Sequence, residues 1–151
     1  VAPSINSPYN TLMKIKRTLQ ISENEFYDYL ESELIRECQL TKTKIEKGLN
    51  YKKTDSKTQM EISVFVINYI RGTLYEVKVS SSYETYFLKY TTQENENGLE
   101  IQFEQHIESF EMKKQNRLMR LFSEGVYLGR MSDTLFDIQK KIHEKRRTNL
   151  S

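Results

Sequence analysis

The sequence predicts an α+β domain in which a strand and a capped helix come first, a run of antiparallel strands follows, and a long helix closes the chain. Three observations carry this reading. Ser22-Glu23-Asn24-Glu25 spells a capping box just ahead of apolar residues at helical spacing. After Gly48 the hydrophobic period drops to two, and β-branched and aromatic stretches are divided by turn dipeptides. From Glu111 to about Lys145 no proline occurs, and the apolar period returns to that of a helix.

Residues 1–11 contain Pro3, Pro8, Ser4, Ser7, Asn6 and Asn10 without periodicity, so an irregular arm is expected there. A single domain is expected over 12–147, with 148–151 as a disordered tail. Met13, Ile15, Leu19 and Ile21 alternate with Lys14, Lys16, Thr18 and Gln20, as in a strand with one buried face, and Arg17 interrupts the apolar set. In the capping box the Ser22 hydroxyl and the Glu25 carboxylate satisfy each other's free amides. Phe26, Leu30, Leu34 and Cys38, joined by Tyr29, then form one stripe, which makes Cys38 a small core residue. A second, shorter turn of helix is expected over 43–47, closed by Gly48, which can adopt the left-handed exit conformation.

Strands are expected over 51–54, 60–70, 73–80, 83–92 and 99–109, separated by Asp55-Ser56, Arg71-Gly72, Ser81-Ser82 and Asn97-Gly98. Short links make successive strands antiparallel neighbours. The last strand divides cleanly: Leu99, Ile101, Phe103 and Ile107 share one face, while Glu100, Gln102, Glu104, His106 and Glu108 share the other. The 60–70 stretch is apolar in both registers, with Ile62, Val64 and Val66 against Phe65, Ile67 and Tyr69. Its second face needs cover from a bulge, the long helix or a partner subunit. In the final helix Leu118, Leu121, Phe122, Gly125, Val126, Leu128, Gly129, Leu135, Ile138 and Ile142 recur at helical spacing. Gly125 and Gly129 share a face, and each costs about 1 kcal/mol relative to Ala. They leave room for a close backbone approach or a bound molecule, a kink or plain close packing being the simpler reading.

Composition excludes several classes. The chain has 151 residues, 37% hydrophobic and 29% charged, with only five Gly and two Pro, so it has the makings of one folded domain. No apolar run approaches the roughly 20 residues of a membrane span. Cys38 is the single cysteine, which leaves no internal disulfide and no zinc framework, and a cytoplasmic location is expected. The net charge is only +2, yet Lys113 to Arg147 carries ten basic residues against four acidic. Lys140, Lys141, Lys145, Arg146 and Arg147 are read as complementing a helix C-terminus rather than as a foothold for lipid headgroups or a polyanion. Ten tyrosines mingle with lysines such as Lys52, Lys53, Lys78 and Lys89, but the acidic outer strand and the slight net charge argue against nucleic acid as a partner.

The chemistry of catalysis is not legible. No nucleophile elbow, phosphate-binding glycine loop, zinc helix or Cys pair occurs, and His106 and His143 are the only histidines. His106 lies between Glu104 and Glu108 at a spacing that can present three metal ligands, but the pattern reads as a solvated polar face. His143 reads as a surface residue among basic neighbours. No cofactor is expected.

The order of elements resembles the helix-grip fold of the START-like superfamily, which includes the birch-pollen-allergen and polyketide-cyclase-like proteins. More narrowly, 13–146 is similar to a small bacterial family of START-like proteins of unknown function. The resemblance rests on Met13-Lys14-Ile15-Lys16-Arg17, on Ile45-Glu46-Lys47-Gly48-Leu49-Asn50-Tyr51, and on the glycine-punctuated helix around Gly125 and Gly129. It implies a curved antiparallel sheet of six to seven strands wrapped on the C-terminal helix, with one or two short helices after the first strand. It also implies an apolar ligand or lipid held between sheet and helix. The lining residues expected from strand and helix parity are Tyr75, Val77, Phe87, Ile101 and Phe103 from the sheet, with Phe122, Gly125, Val126 and Gly129 from the helix. A non-catalytic binding protein is the expectation. The alternative is an oligomeric interaction module with a solid core, dimerising through the strand from Met60 to Tyr69, and a weaker third is a cyclase- or hydrolase-like enzyme using pocket tyrosines.

Overall fold

The computed structural model describes residues 11–38, 45–54, 59–82, 85–107 and 117–150, the side chains of 11, 38, 117–127 and 150 excepted. Strand β1 (Thr11–Leu19) leads into helix α1 (Glu23–Cys38). Strands β2 (Asn50–Thr54), β3 (Glu61–Ile70), β4 (Leu74–Ser80), β5 (Thr85–Asn95) and β6 (Gly98–Ile107) follow, and helix α2 (Arg117–Leu150) ends the chain. The described strands form one six-stranded sheet in the order β1-β6-β5-β4-β3-β2, every neighbouring pair antiparallel. This is the helix-grip arrangement. The expected irregular arm lies outside the described residues up to position 10, and α2 continues helical to Leu150, through most of the expected tail.

Local chemistry accounts for the joints. Ser22 N donates to Glu25 Oε1 at 2.9 Å and Glu25 N donates to Ser22 Oγ at 3.2 Å, the reciprocal capping box that starts α1. The core role expected of the Cys38 side chain, at the other end of α1, lies outside the described set. Of the expected turn over 43–47, residues 43 and 44 lie outside the described set and 45–47 are not helical. Gly48 has φ +96° and sends the chain onto β3, where Gly48 N donates to Val66 O and Val66 N to Leu49 O, both at 2.8 Å. The dual-faced apolar pattern of β3 is resolved by a bulge: the register with β4 shifts between Val66 and Asn68. Val64 and Val66 before the bulge and Tyr69 after it therefore all face the core side, while Phe65 and Ile70 stay exposed. No partner subunit is required to explain that sequence.

One face of the sheet is covered by two helices. Among the described residues of α2, Met131, Leu135, Ile138 and Ile142 are buried and form an inner stripe, and the helix lies against β1. Polar contacts fix its position: Arg17 Nε donates to Ser132 Oγ at 3.3 Å, Gln20 N to Gln139 Oε1 at 2.6 Å, and His143 Nε2 to Gln20 O at 2.8 Å. Arg146, one of the basic cluster near the chain's end, forms an ion pair with Glu25 in the capping box. Helix α1 covers the other side, running from β5, where Glu23 N donates to Glu94 Oε2 at 2.7 Å, to β2, where Glu37 meets Tyr51 and Lys53. Its buried residues are Phe26, Tyr27, Leu30 and Leu34. The Tyr27 hydroxyl, buried with its ring, shares a hydrogen bond of 2.6 Å with Thr92 Oγ1, which satisfies both groups.

Candidate functional site

The core is not filled evenly. Between α1 and the inner sheet face lies a cavity of about 220 Å³. Its walls are Leu30, Glu33, Leu34 and Glu37 of α1, Tyr51 and Lys53 of β2, Ile62 and Val64 of β3, Tyr75, Val77 and Val79 of β4, and Tyr86, Leu88 and Tyr90 of β5. Strand alternation puts the strand residues there: Val79 pairs with Val64 on one side and Tyr86 on the other, and the next inward steps along β4 pair Val77 with Leu88 and Tyr75 with Tyr90. The polar groups gather at the α1 and β2 side. Glu37 accepts from the Tyr51 hydroxyl at 2.8 Å and from Lys53 Nζ at 2.9 Å, and Glu33 pairs with Arg36. The side chains of Lys53 and Glu37 are about a third exposed, 33% and 28%, so these groups form a rim rather than a buried centre.

A file of aromatic rings makes the wall rigid. Tyr90 stacks on Phe103 with centroids 4.3 Å apart and on Tyr75 at 5.9 Å, and Tyr69 meets Tyr75 edge-on at 5.9 Å. Burial pushes the Tyr90 phenol well above its usual pKa, so it stays protonated. Beyond the rim, Tyr69 donates to Glu31, which also receives Arg71. Burial and that carboxylate raise the Tyr69 pKa as well.

Of the residues expected to line a site, Tyr75 and Val77 stand in the cavity wall. Ile101 and Phe103 are buried on the same sheet face, one strand further on, where Phe103 backs Tyr90. Phe87 is on the opposite face, paired with His106 across the ladder and 5.8 Å from its ring. The side chains of Phe122, Gly125 and Val126 lie outside the described set, and Gly129 is exposed with open space where a Cβ would stand. Sequence reasoning missed Tyr86, Leu88 and Tyr90. The signal was present: a two-residue turn at Glu96-Asn97 pairs Asn95 with Gly98, and the same ladder then pairs inward Phe103 with Tyr90 and outward His106 with Phe87. Among the described residues no group of three or more His, Cys, Asp or Glu is placed to hold a metal, and Glu108 of the His106 triplet lies outside them. No described helix is long and apolar enough to cross a membrane.

Residues 13–124 match the protein family described as a domain of unknown function, DUF3284. The chain belongs to that family. No curated protein sequence matches it. Among solved structures the fold is similar to a Staphylococcus aureus protein of unknown function, SA2116, at 13% identity and a TM-score of 0.65, covering 92% of this chain and 96% of that one. It is similar to MLL2253 of Mesorhizobium loti at 12% identity and a TM-score of 0.62, covering 89% and 98%. It is similar also to Ara h 8.0201, a birch-pollen-allergen-like protein, at 11% identity and a TM-score of 0.62, covering 89% and 99%. At such identities the likeness is one of fold alone, and the fold they share is the helix-grip arrangement.

Proposed function

We propose that this DUF3284 protein binds a small apolar molecule without transforming it, and that the binding place is the cavity between α1 and the inner face of β2–β5. The observation that carries the reading is the cavity itself: about 220 Å³ walled largely by Leu, Ile, Val and Tyr, beside a core in which Leu19, Leu99, Ile101 and Leu135 are fully buried. Removing apolar ligand surface from water supplies roughly 25 cal/mol per Å², and a polar rim selects orientation. Tyr75 and Val77 contact the ligand, Ile101 and Phe103 support the wall behind Tyr90, and Phe122, Gly125 and Val126 of α2 are further candidate lining residues. A cytoplasmic setting in a bacterium fits the lone Cys38 and the bacterial sources of two of the similar structures.

The test is a thermal-unfolding series against fatty acids, monoterpenes and small aromatic compounds, since a ligand of the native state raises Tm with concentration. A saturable rise for at least one class supports the reading, and none across the series rejects it. A second reading, a homodimer that buries the outer face of the Met60 to Tyr69 strand, draws on the exposure of Phe65 (40%) and Ile70 (49%). Sedimentation equilibrium separates the two: a monomer at all concentrations rejects the dimer and leaves the cavity reading intact.

A further inference from the structure

One residue of the cavity wall, Tyr90, has a polar atom that the described fold leaves without a partner. Tyr90 is only 7% exposed, yet its hydroxyl makes no hydrogen bond with any of the described residues. The other polar groups of the wall are occupied: Tyr51 and Lys53 are spent on Glu37, Glu33 on Arg36, and Tyr75 and Tyr86 have interactions of their own. Tyr27, another deeply buried tyrosine of this core, is satisfied by Thr92. Folded chains leave few buried donors unpaired, because each forfeits its hydrogen bonds to water without replacement.

Resting on the binding reading above, we propose that the Tyr90 hydroxyl is the anchoring donor of the cavity, and that the ligand is a small neutral molecule with an apolar body and a carbonyl-type acceptor oxygen at its buried end. Four observations fix this chemistry. The Tyr90 ring is clamped between Tyr75 and Phe103, so its oxygen has a set position and recognises one point on a ligand. A phenol held protonated is a good donor, which calls for an acceptor opposite it. A carboxylate is the poorer acceptor here, because the walls near Tyr90 are apolar, Lys53 is already neutralised by Glu37, and Glu33 adds negative charge at the rim. The volume is below the roughly 300 Å³ at which pockets for drug-sized ligands begin, so the molecule is a compact one.

The experiment compares 1-indanone with indane, the same bicyclic body with and without a ketone, against the wild-type chain and Tyr90→Phe, by calorimetry or by titration of methyl NMR shifts. The expected result is that the wild type binds 1-indanone about fivefold to tenfold tighter than indane, the worth of one hydrogen bond, and that Tyr90→Phe removes the preference while still binding indane. The ligand-free variant should melt no lower than the wild type, since it loses an unpaired hydroxyl. Equal affinity of the wild type for both compounds overturns the inference while leaving the binding reading standing, and needs no variant. A markedly lower Tm for ligand-free Tyr90→Phe also overturns it, because the hydroxyl then has a partner within the fold. If neither compound binds the wild type and the wider series raises Tm, the inference falls alone; if nothing in the series binds, both fall.

Discussion

The two halves of the covered sheet face are packed differently. On the β1 and β6 side, Leu19, Leu99, Ile101, Met131 and Leu135 are at most 2% exposed. On the β2 to β4 side the same sheet continues with Val64, Val77 and Val79, but α1 bridges it with a gap beneath, and charged Glu33, Glu37 and Lys53 stand at the margin. Packing that closes on itself gives stability, whereas a gap walled by ordered residues forgoes dispersion contacts and gains capacity for a guest. The difference predicts that substitutions of similar size have unequal effects in the two halves.

The largest effect is expected at the closed side. Gly98 has φ +131°, and a Cβ there would lie 2.3 Å from the Leu19 carbonyl oxygen, a backbone atom that cannot swing aside. Gly98→Ala should therefore lower stability by about 3 kcal/mol or more in urea unfolding, from strained backbone and overpacking together. A loss under about 1 kcal/mol would show the β1 and β6 junction to be looser than described. Next, Leu135→Ala should cost about 2–5 kcal/mol as a new cavity opens in filled core. Val77→Leu should be neutral or stabilising because it grows into existing space, and Ile101→Phe, at a fully buried side chain, should cost about 1–3 kcal/mol. Equal losses for Val77→Leu and Ile101→Phe would break the contrast between the halves.

A smaller effect joins α1 to α2. The Arg146 guanidinium, followed by the Ser22 contacts, lowers the Glu25 pKa from 4.5 to about 2. The native state thus favours the carboxylate, so its contribution is complete above pH 4.5 and drains away as pH falls toward 2. After allowance for solvent screening of a partly exposed pair, about 1 kcal/mol should be lost over that window, and Glu25→Gln should flatten this part of the stability profile. Smallest of all, Lys53→Met should change stability by less than about 1 kcal/mol, as expected of a partly exposed ion pair, while altering which ligands enter past the rim.

Much of the fold was legible in the sequence because it is written in local chemistry. The capping box placed the start of α1, and Asn97-Gly98 placed the β5 to β6 hairpin to within one residue, the turn itself being Glu96-Asn97. The bulge in β3 was foreshadowed by its two apolar faces, though only the ladder with β4 locates it at Ile67. The site was less legible. Phe87 and Tyr90 are both aromatic, and propensity cannot tell the outward ring from the inward one; the hairpin register can. The partner of the cavity wall was harder still. Leu30 and Leu34 declare a buried helix face, but which strands that face meets, and with what space between, follows from long-range packing that no local pattern encodes.

A small apolar guest is proposed beneath α1, apart from Leu19, Leu99, Ile101 and Leu135, which are fully buried. Methyl NMR of the wild-type chain titrated with indane tests it directly. Saturable shifts are expected at Leu30, Leu34, Val64, Val77, Val79 and Leu88, with Leu19, Leu99, Ile101 and Leu135 unmoved. Shifts confined to the second group, or none at either, would contradict it.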